Sequence, residues 1–493
     1  MKHRVYIIGS GFSSLSAACY LARDGYDVTV FEKNATIGGR ARQLLKDGFT
    51  FDMGPTWYWM PDVFDRFFAD FGAKTNDYYS IEKLSPAYSV YFGQDDFVTI
   101  QDNPSDIKKT FESIEPGSGK KLESFLNEAK SNYDIAIGDI VYRPGESAFE
   151  LVSMKTVGKI DRFFSTVSSD VAKRFKNERL RKILEFPVLF LGAKPSETPS
   201  FYTFMNHADF GLGTFYAKGG MFSVVKGIEK LALELGVKFQ THSNVEKITV
   251  DADSEVDGII VNGEKLWAEI VVSGADYHHS EQLLDERLRT YSPKYWESRV
   301  FAPSCLLFYV GFDKKIENVE HHTLFFDTDF DVHAQAIYDD PKWPEEPLFY
   351  ASFPSKTEQD CAPKGCEAAI FLVPLAPGID DTPELRESCF SKILHRLKKN
   401  TGQSLSENIL FKESFCVNDF VSDYNSYKGN AYGMANTLMQ TAFLRPKLRS
   451  RKVGNLYFAG QLTVPGPGVP PALISGKLVA GLIQKKNRHE VAV

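Results

Sequence analysis

Arg4-Val5-Tyr6-Ile7-Ile8-Gly9-Ser10-Gly11 is the stretch that decides the fold. Its apolar run reads as a short strand buried on both faces, and the glycines follow without a gap. Residues 13–23 then read as a helix, with Gly25 as its C-terminal stop. Asp27-Val28-Thr29-Val30-Phe31 is a second strand, ended by Glu32 about twenty residues beyond Gly11. The unit is βαβ. Gly9 permits the tight turn, and Gly11 lets the backbone approach a pyrophosphate. The helix start at Ser13 and Ser14 offers free N–H groups and partial positive charge. Glu32 can accept hydrogen bonds from a ribose diol. Ser14 stands where a third glycine is usual, and a small residue is enough for helix-on-strand packing. Strand, turn, helix, strand and acid together point to a bound dinucleotide.

At 493 residues the chain is long enough for two or three domains. Its net charge of -7 implies no basic face and argues against a nucleic-acid partner. The six cysteines include no Cys-x-x-Cys pair, so reduced thiols are expected rather than a disulfide frame. The histidines show no ligand spacing and zinc is not expected; the adjacent pairs His278-His279 and His321-His322 read as surface loop. Two uncharged stretches imitate membrane segments. Residues 5–22 are interrupted by serines and glycines and run straight into a second strand, which is not the pattern of a signal peptide. Residues 453–476 contain Pro465, Pro467, Pro470 and Pro471, which rule out a spanning helix. Lying on a bilayer surface remains open.

Further motifs narrow the class. Glu32-Lys33 leads to Ile37-Gly38-Gly39-Arg40-Ala41 and then to Asp52-Met53-Gly54-Pro55-Thr56. Lys218-Gly219-Gly220-Met221 opens an amphipathic run, and Val245 follows the next strand. Residues 270–276 form another strand with a glycine at its end, and Asn455-Leu456-Tyr457-Phe458-Ala459-Gly460 repeats that pattern. Gly466-Pro467-Gly468-Val469-Pro470 opens a last helix. On these residues the chain resembles the flavin amine oxidase and phytoene desaturase superfamily. Within it the chain is most similar to the bacterial-type carotenoid desaturases, some relatives of which act on hydroxylated carotenoids at the 3,4 bond. The resemblance covers almost the whole chain, including Ala362-Pro363-Lys364-Gly365-Cys366 and residues 415–446 with Gln440-Thr441-Ala442-Phe443-Leu444-Arg445-Pro446. Gln461-Leu462 departs from the family, where small residues are common.

The resemblance implies FAD. It places Gly9, Ser10, Gly11, Ser13, Ser14, Glu32, Lys33, Gly38, Gly39, Arg40, Gly54, Pro55, Thr56, Val245, Gly460, Gly468, Val469 and Pro470 around that cofactor. The last helix would point its N-terminus at the pyrimidine edge of the flavin, where a reduced, anionic ring needs positive potential. The expected fold is α/β, a discontinuous Rossmann-like FAD-binding domain at 1–80, 214–285 and 450–493. An inserted α+β substrate domain with a helical cap would span 81–213 and 286–449. Residues 309–312, 348–352 and 369–373 read as strands, and 105–190 as mainly helical. Residues 186–192 and the aromatic run Trp57-Tyr58-Trp59-Met60 read either as packed core or as the lining of an apolar tunnel. The implied reaction is desaturation of an acyclic C40 carotenoid, phytoene or a 1-hydroxylated carotenoid. Quinone or oxygen would act as electron acceptor, and the enzyme would be cytoplasmic with peripheral contact to the membrane. No catalytic side chain is assigned; His207 and Asp209 read as proton acceptors or as ordinary hydrogen-bonded loop residues. A non-redox carotenoid isomerase or saturase, a lipid-binding protein of the GDP-dissociation-inhibitor type and an amine oxidase are the alternatives.

Overall fold

The computed structural model describes residues 3–147, 150 and 161–491. Within the stretch read as helical, residues 148–149 and 151–160 lie outside the described residues. The Arg4–Ile8 strand sits at the centre of a five-stranded parallel sheet. The order is Leu456–Phe458, Ile270–Ser273, Arg4–Ile8, Asp27–Phe31 and Lys238–Gln240. Val5 is opposite Ile270 on one side and Val28 on the other, and Val272 is opposite Tyr457. Alternation along each strand builds two cores. Val5, Ile7, Val28, Val30, Val272 and Tyr457 face one. Tyr6, Ile8, Phe31, Val271, Leu456 and Phe458 face the other.

The first core lies under three helices, Phe12–Arg23, Met221–Glu234 and Val469–Val491. The Phe12–Arg23 helix is buried from Phe12 to Leu21 because sheet and helices enclose it, which explains the lack of charge over that span. Small residues permit that enclosure. Ser14 is fully buried against Gly274, where a Cβ would collide with the Ser14 hydroxyl. A Cβ on Gly476 would collide with the Ser13 carbonyl and stand 2.7 Å from the Ala17 nitrogen. Ser16 Oγ donates to the Leu473 carbonyl at 2.6 Å across the same contact. The second core is closed by an antiparallel sheet of Val245–Val250, Val256–Val261 and Glu264–Trp267.

A mixed seven-stranded sheet forms the other half. Its order is Ile409–Phe415, Ser304–Phe312, Glu367–Leu375, Phe349–Ser352, His322–Phe325, Tyr88–Gly93 and Asp96–Ile100. Ser304–Phe312 pairs along its whole length with Glu367–Leu375 and is buried at every position. The helices Pro104–Ile114, Ser118–Gly138, Val167–Arg174 and Glu178–Glu185 form the cap. In Ser118–Gly138 the buried residues Leu122, Phe125, Leu126, Ala129, Tyr133, Ala136 and Ile137 recur at three and four positions, one apolar stripe on a mixed-charge helix. Among the described residues no helix is long and apolar enough to cross a membrane.

The histidine pairs correct the sequence reading. His321 and His322 are buried, His322 opening the His322–Phe325 strand, and His278 and His279 sit half-buried on the Tyr277–Gln282 helix. Aromatic stacking and single hydrogen bonds make neutral imidazole a tolerable core residue, which spacing alone does not reveal. The helix contact carries a prediction. Gly476→Val is expected to cost at least about 1–3 kcal/mol, the usual penalty for overpacking, because both backbones must separate. Thermal unfolding of the purified protein, followed by circular dichroism, measures it.

Candidate functional site

A cavity of about 810 Å³ opens at the carboxyl ends of the parallel strands and continues under the seven-stranded sheet and the cap. Gly9, Glu32, Gly274 and Gly460 all follow directly on strands of that sheet or lie within two residues of them, and all line it. Ser10, Gly11, Ser13, Lys33, Gly38, Gly39, Arg40, Gly54, Pro55, Thr56, Val245, Gly468, Val469 and Pro470 line it too. Of the residues that the resemblance places around FAD, Ser14 alone stands behind the wall, against Gly274.

The two glycine turns touch. A Cβ on Gly39, which has φ +57°, would stand 3.2 Å from the Gly11 Cα. Gly38 N–H donates to the Ser10 carbonyl at 3.1 Å and to Ser10 Oγ at 3.2 Å. Glu32 is buried, and its carboxylate accepts from Ser10 N–H at 3.1 Å, Ser10 Oγ at 2.6 Å and Asn34 N–H at 2.9 Å. Lys33 Nζ donates to the Ser422 carbonyl at 2.7 Å. Arg40 lies over the Tyr424 ring at 5.2 Å and donates to Ser426 Oγ at 3.0 Å and the Asn430 carbonyl at 3.2 Å. Its Nε is buried without a partner. Burial pulls the Arg40 pKa down and pushes that of Asp276 up, and each charge offsets the shift of the other.

Beyond Thr56 the wall turns aromatic. Trp57, Trp59, Met60, Phe186, Leu189, Phe326 and Leu348 line this half. The alternation of Trp57, Tyr58 and Trp59 resolves the two sequence readings. Trp57 and Trp59 face the cavity, while Tyr58 turns into the core, stacked on Phe64 at 4.5 Å with its hydroxyl 2.8 Å from that of Tyr79. Residues 186–192 likewise serve both purposes, since Phe186 and Leu189 line the cavity and Val188 is core. A small polar group sits where the two halves meet. Tyr350 lines the cavity with its hydroxyl 2.8 Å from Thr56 Oγ1 and 2.7 Å from His322 Nδ1. The His322 ring stacks on Trp57 at 4.1 Å, and burial holds its pKa well below the usual histidine value. Periodicity had no means of finding this cluster, because Thr56, His322 and Tyr350 come from three separated strands and loops.

Neither His207 nor Asp209 lines the cavity. Asp209 is buried and accepts hydrogen bonds from the Tyr88 hydroxyl at 2.7 Å and Thr214 Oγ1 at 3.3 Å, a core role. The departure at Gln461-Leu462 is absorbed locally. A Cβ on Gly433 would stand 2.8 Å from Gln461 Cγ, and the Gln461 amide donates to Asn430 Oδ1 at 3.2 Å, so a glycine opposite makes room for the larger side chain. Leu462 joins the second core of the parallel sheet.

A dinucleotide cradle at strand ends, opening into an apolar chamber, is the arrangement of oxidoreductases that bring a redox cofactor to a poorly soluble substrate. Comparison with known proteins fixes the class more closely. Residues 12–484 match the model of the flavin containing amine oxidoreductases, and the chain belongs to that family as an FAD-dependent oxidoreductase. Over 483 residues it is 41% identical to a carotenoid 3,4-desaturase of Haloarcula japonica, covering 97% of each chain. It is 32% identical over 498 residues to a 4,4'-diapophytoene desaturase (4,4'-diaponeurosporene-forming) of Staphylococcus haemolyticus, covering 98% of this chain and 99% of that one. Among solved structures, an oxidoreductase from Methanosarcina mazei shares the fold with a TM-score of 0.62 at 17% identity, over 98% of this chain and 100% of that one.

Asp209 yields a pH prediction. Burial raises its pKa from the ordinary 3.8 to about 7. Between those values the folded protein holds a proton that the unfolded chain releases, so stability falls as pH rises from about 4 to about 7. Asp209→Asn is expected to remove that part of the loss. Urea unfolding at several pH values should show the variant gaining on the wild type as pH rises.

Proposed function

We propose that the protein is an FAD-dependent carotenoid desaturase acting on an acyclic C40 substrate, phytoene or a 1-hydroxylated carotenoid at the 3,4 bond. The observation that carries the reading is the joining of a glycine-and-arginine cradle to an aromatic chamber in one cavity. The likeness to two desaturases over nearly the full chain supports it.

In this reading Gly9, Ser10, Gly11 and Ser13 bring backbone N–H groups to the FAD pyrophosphate. Ser14 gives the helix its close seat, and Glu32 and Lys33 flank the adenosine ribose. The unpartnered Arg40 Nε is a donor in want of an anion, and it suits a phosphate oxygen beside Gly38 and Gly39. Val245 bounds the adenine end. Gly54, Pro55, Thr56, Gly460, Gly468, Val469 and Pro470 enclose the ring. Segments 1–80, 214–285 and 450–493 act as the cofactor part, and 81–213 with 286–449 as the substrate part. When bound, FAD supplies a two-electron acceptor for C–H bonds, and quinone or oxygen afterwards takes the electrons away.

The chain's own work on the substrate is burial and exclusion of water. A polyene has no polar handle, so its affinity comes from apolar contact, about 25 cal/mol per Å² removed from water. Trp57, Trp59, Phe186 and Phe326 provide rigid apolar surface for it. The Tyr350 hydroxyl, held by Thr56 and His322, is a group at the junction able to hold a proton. Met439 is 70% exposed and lines the cavity with Leu444, an apolar rim through which a membrane-dissolved substrate enters without crossing water. Peripheral contact with the cytoplasmic membrane is part of this reading, and the exposed apolar rim supports it.

The test is product analysis. The purified protein is expected to release FAD on denaturation and, with phytoene or a 1-hydroxylated carotenoid, to give a red-shifted product lighter by two hydrogens. A product of unchanged mass identifies an isomerase, and a gain of two hydrogens a saturase. A protein that retains no flavin sinks the reading. Arg40→Met is expected to weaken FAD binding roughly 30-fold or more, as loss of a buried charged hydrogen bond costs about 2–5 kcal/mol. Titration of the flavin-stripped protein with FAD, followed by flavin fluorescence, measures that change.

A further inference from the structure

Arg445 is 2% exposed and ranks among the largest fully buried side chains. A guanidinium has five N–H donors. Nε donates to the Thr463 carbonyl at 2.9 Å. One terminal nitrogen donates to Asn436 Oδ1 at 2.6 Å and the Gln440 carbonyl at 3.0 Å. The other donates to the Met434 carbonyl at 2.9 Å and the Gln461 carbonyl at 2.8 Å. Every donor has an oxygen, and every oxygen belongs to a neutral group. Among the described residues no carboxylate makes an ion pair with it, and the groups that raise its pKa are the neutral phenols Tyr202 and Tyr295. Burial lowers that pKa to about 10, so Arg445 remains a cation at neutral pH.

A buried charge ordinarily brings its counter-charge with it, because desolvating an unpaired ion is costly. Holding two loops together does not require a charge. Where the acceptors lie suggests what does. Asn436 and Gln461 line the cavity, and Thr463 sits between Leu462 and Val464, which line it as well. Arg445 therefore stands one residue behind the wall that runs into Gly468, Val469 and Pro470. The N-terminus of the Val469–Val491 helix adds partial positive charge to the same wall. Arg445 is buried, so protein rather than solvent lies between this charge and the cavity, and its field is weakly screened there. The missing counter-charge is one that a ligand acquires inside the cavity. FAD that takes up two electrons and one proton gains one negative charge on its ring.

We propose that Arg445 is a positioning residue for the cofactor's charge: its unpaired cation, set behind the Gln461–Val464 wall, favours the reduced, anionic form of bound FAD over the oxidised form. The inference rests on the cofactor reading above and extends it to a residue that touches neither cofactor nor substrate.

The test is the midpoint potential of FAD in the purified holoprotein, titrated with dithionite against a reference dye. In the wild type, reduced FAD is expected to bind more tightly than oxidised FAD, which raises the potential above that of free FAD at the same pH. In Arg445→Met the preference for the reduced form should fall about tenfold, ~30 mV for a two-electron couple. Arg445→Lys keeps the charge but fewer of the hydrogen bonds, and should hold the preference within about threefold of the wild type. A mere clamp predicts otherwise, with the potential unmoved in both variants or lowered equally in both. Either result overturns the proposal. If neither variant folds with FAD, the wild type alone decides, since a bound potential at or below that of free FAD overturns it. A wild type without flavin defeats the cofactor reading itself, whereas a flavin-loaded protein inactive on every carotenoid defeats only the substrate assignment and leaves this measurement standing.

Discussion

The contact between the Phe12–Arg23 and Val469–Val491 helices is the constraint on which the rest of the structure depends. Sequence-distant segments meet there at backbone distance, and only Gly476 against Ser13 and Ala17 allows it. Because that helix pair is seated on the parallel sheet, the loops leaving Ile8 and Phe458 emerge at the same end of it, with Ile270–Ser273 between their strands. The first glycine turn and the last glycine cluster thus face one cavity. A wider helix spacing would leave both motifs intact in sequence and separate them in space.

The second sheet solves a different problem. Ser304–Phe312 and Glu367–Leu375 are long, nearly continuous apolar strands flanked by further strands and helices. Cys305, Leu307, Leu372 and Pro374 of these strands line the cavity from the sheet side. The wall of the chamber is mainly apolar, and one polar cluster stands at its junction with the cradle. There Thr56, Tyr350 and His322 satisfy one another at 2.7–2.8 Å.

The parallel sheet was legible because its signals are local. Apolar runs and glycine turns mark its strands, and every strand they marked is present. The strands at 309–312, 348–352 and 369–373 are all present, the second as Phe349–Ser352. The first and third extend to nine residues each, because their ends, such as Ser304 and Glu367, are polar groups paired inside the sheet. What was not legible depends on contacts between distant positions. His321 and His322 resemble loop residues until Trp57, Tyr350 and Thr357 are seen around them. Asp209 resembles a proton acceptor until Tyr88 and Thr214 claim it. Gln461 looks like an obstacle until Gly433 appears opposite. Arg445 gave no signal beyond family likeness, since an arginine between loop residues is ordinary until its burial is known.

The interleaving of the parallel sheet also bears on how the chain acquires its structure during synthesis. The central strand, Arg4–Ile8, is made before its partners: its neighbour Ile270–Ser273 follows well over two hundred residues later, and the edge strand Leu456–Phe458 later still. Pairing across such separations is slow, because loop-closure entropy is spent before contacts reward it. The nascent N-terminal half must therefore wait with Val5, Ile7 and the apolar Phe12–Arg23 helix incompletely covered. That interval is when chaperones and early-available ligand have the most influence over whether the chain matures or aggregates.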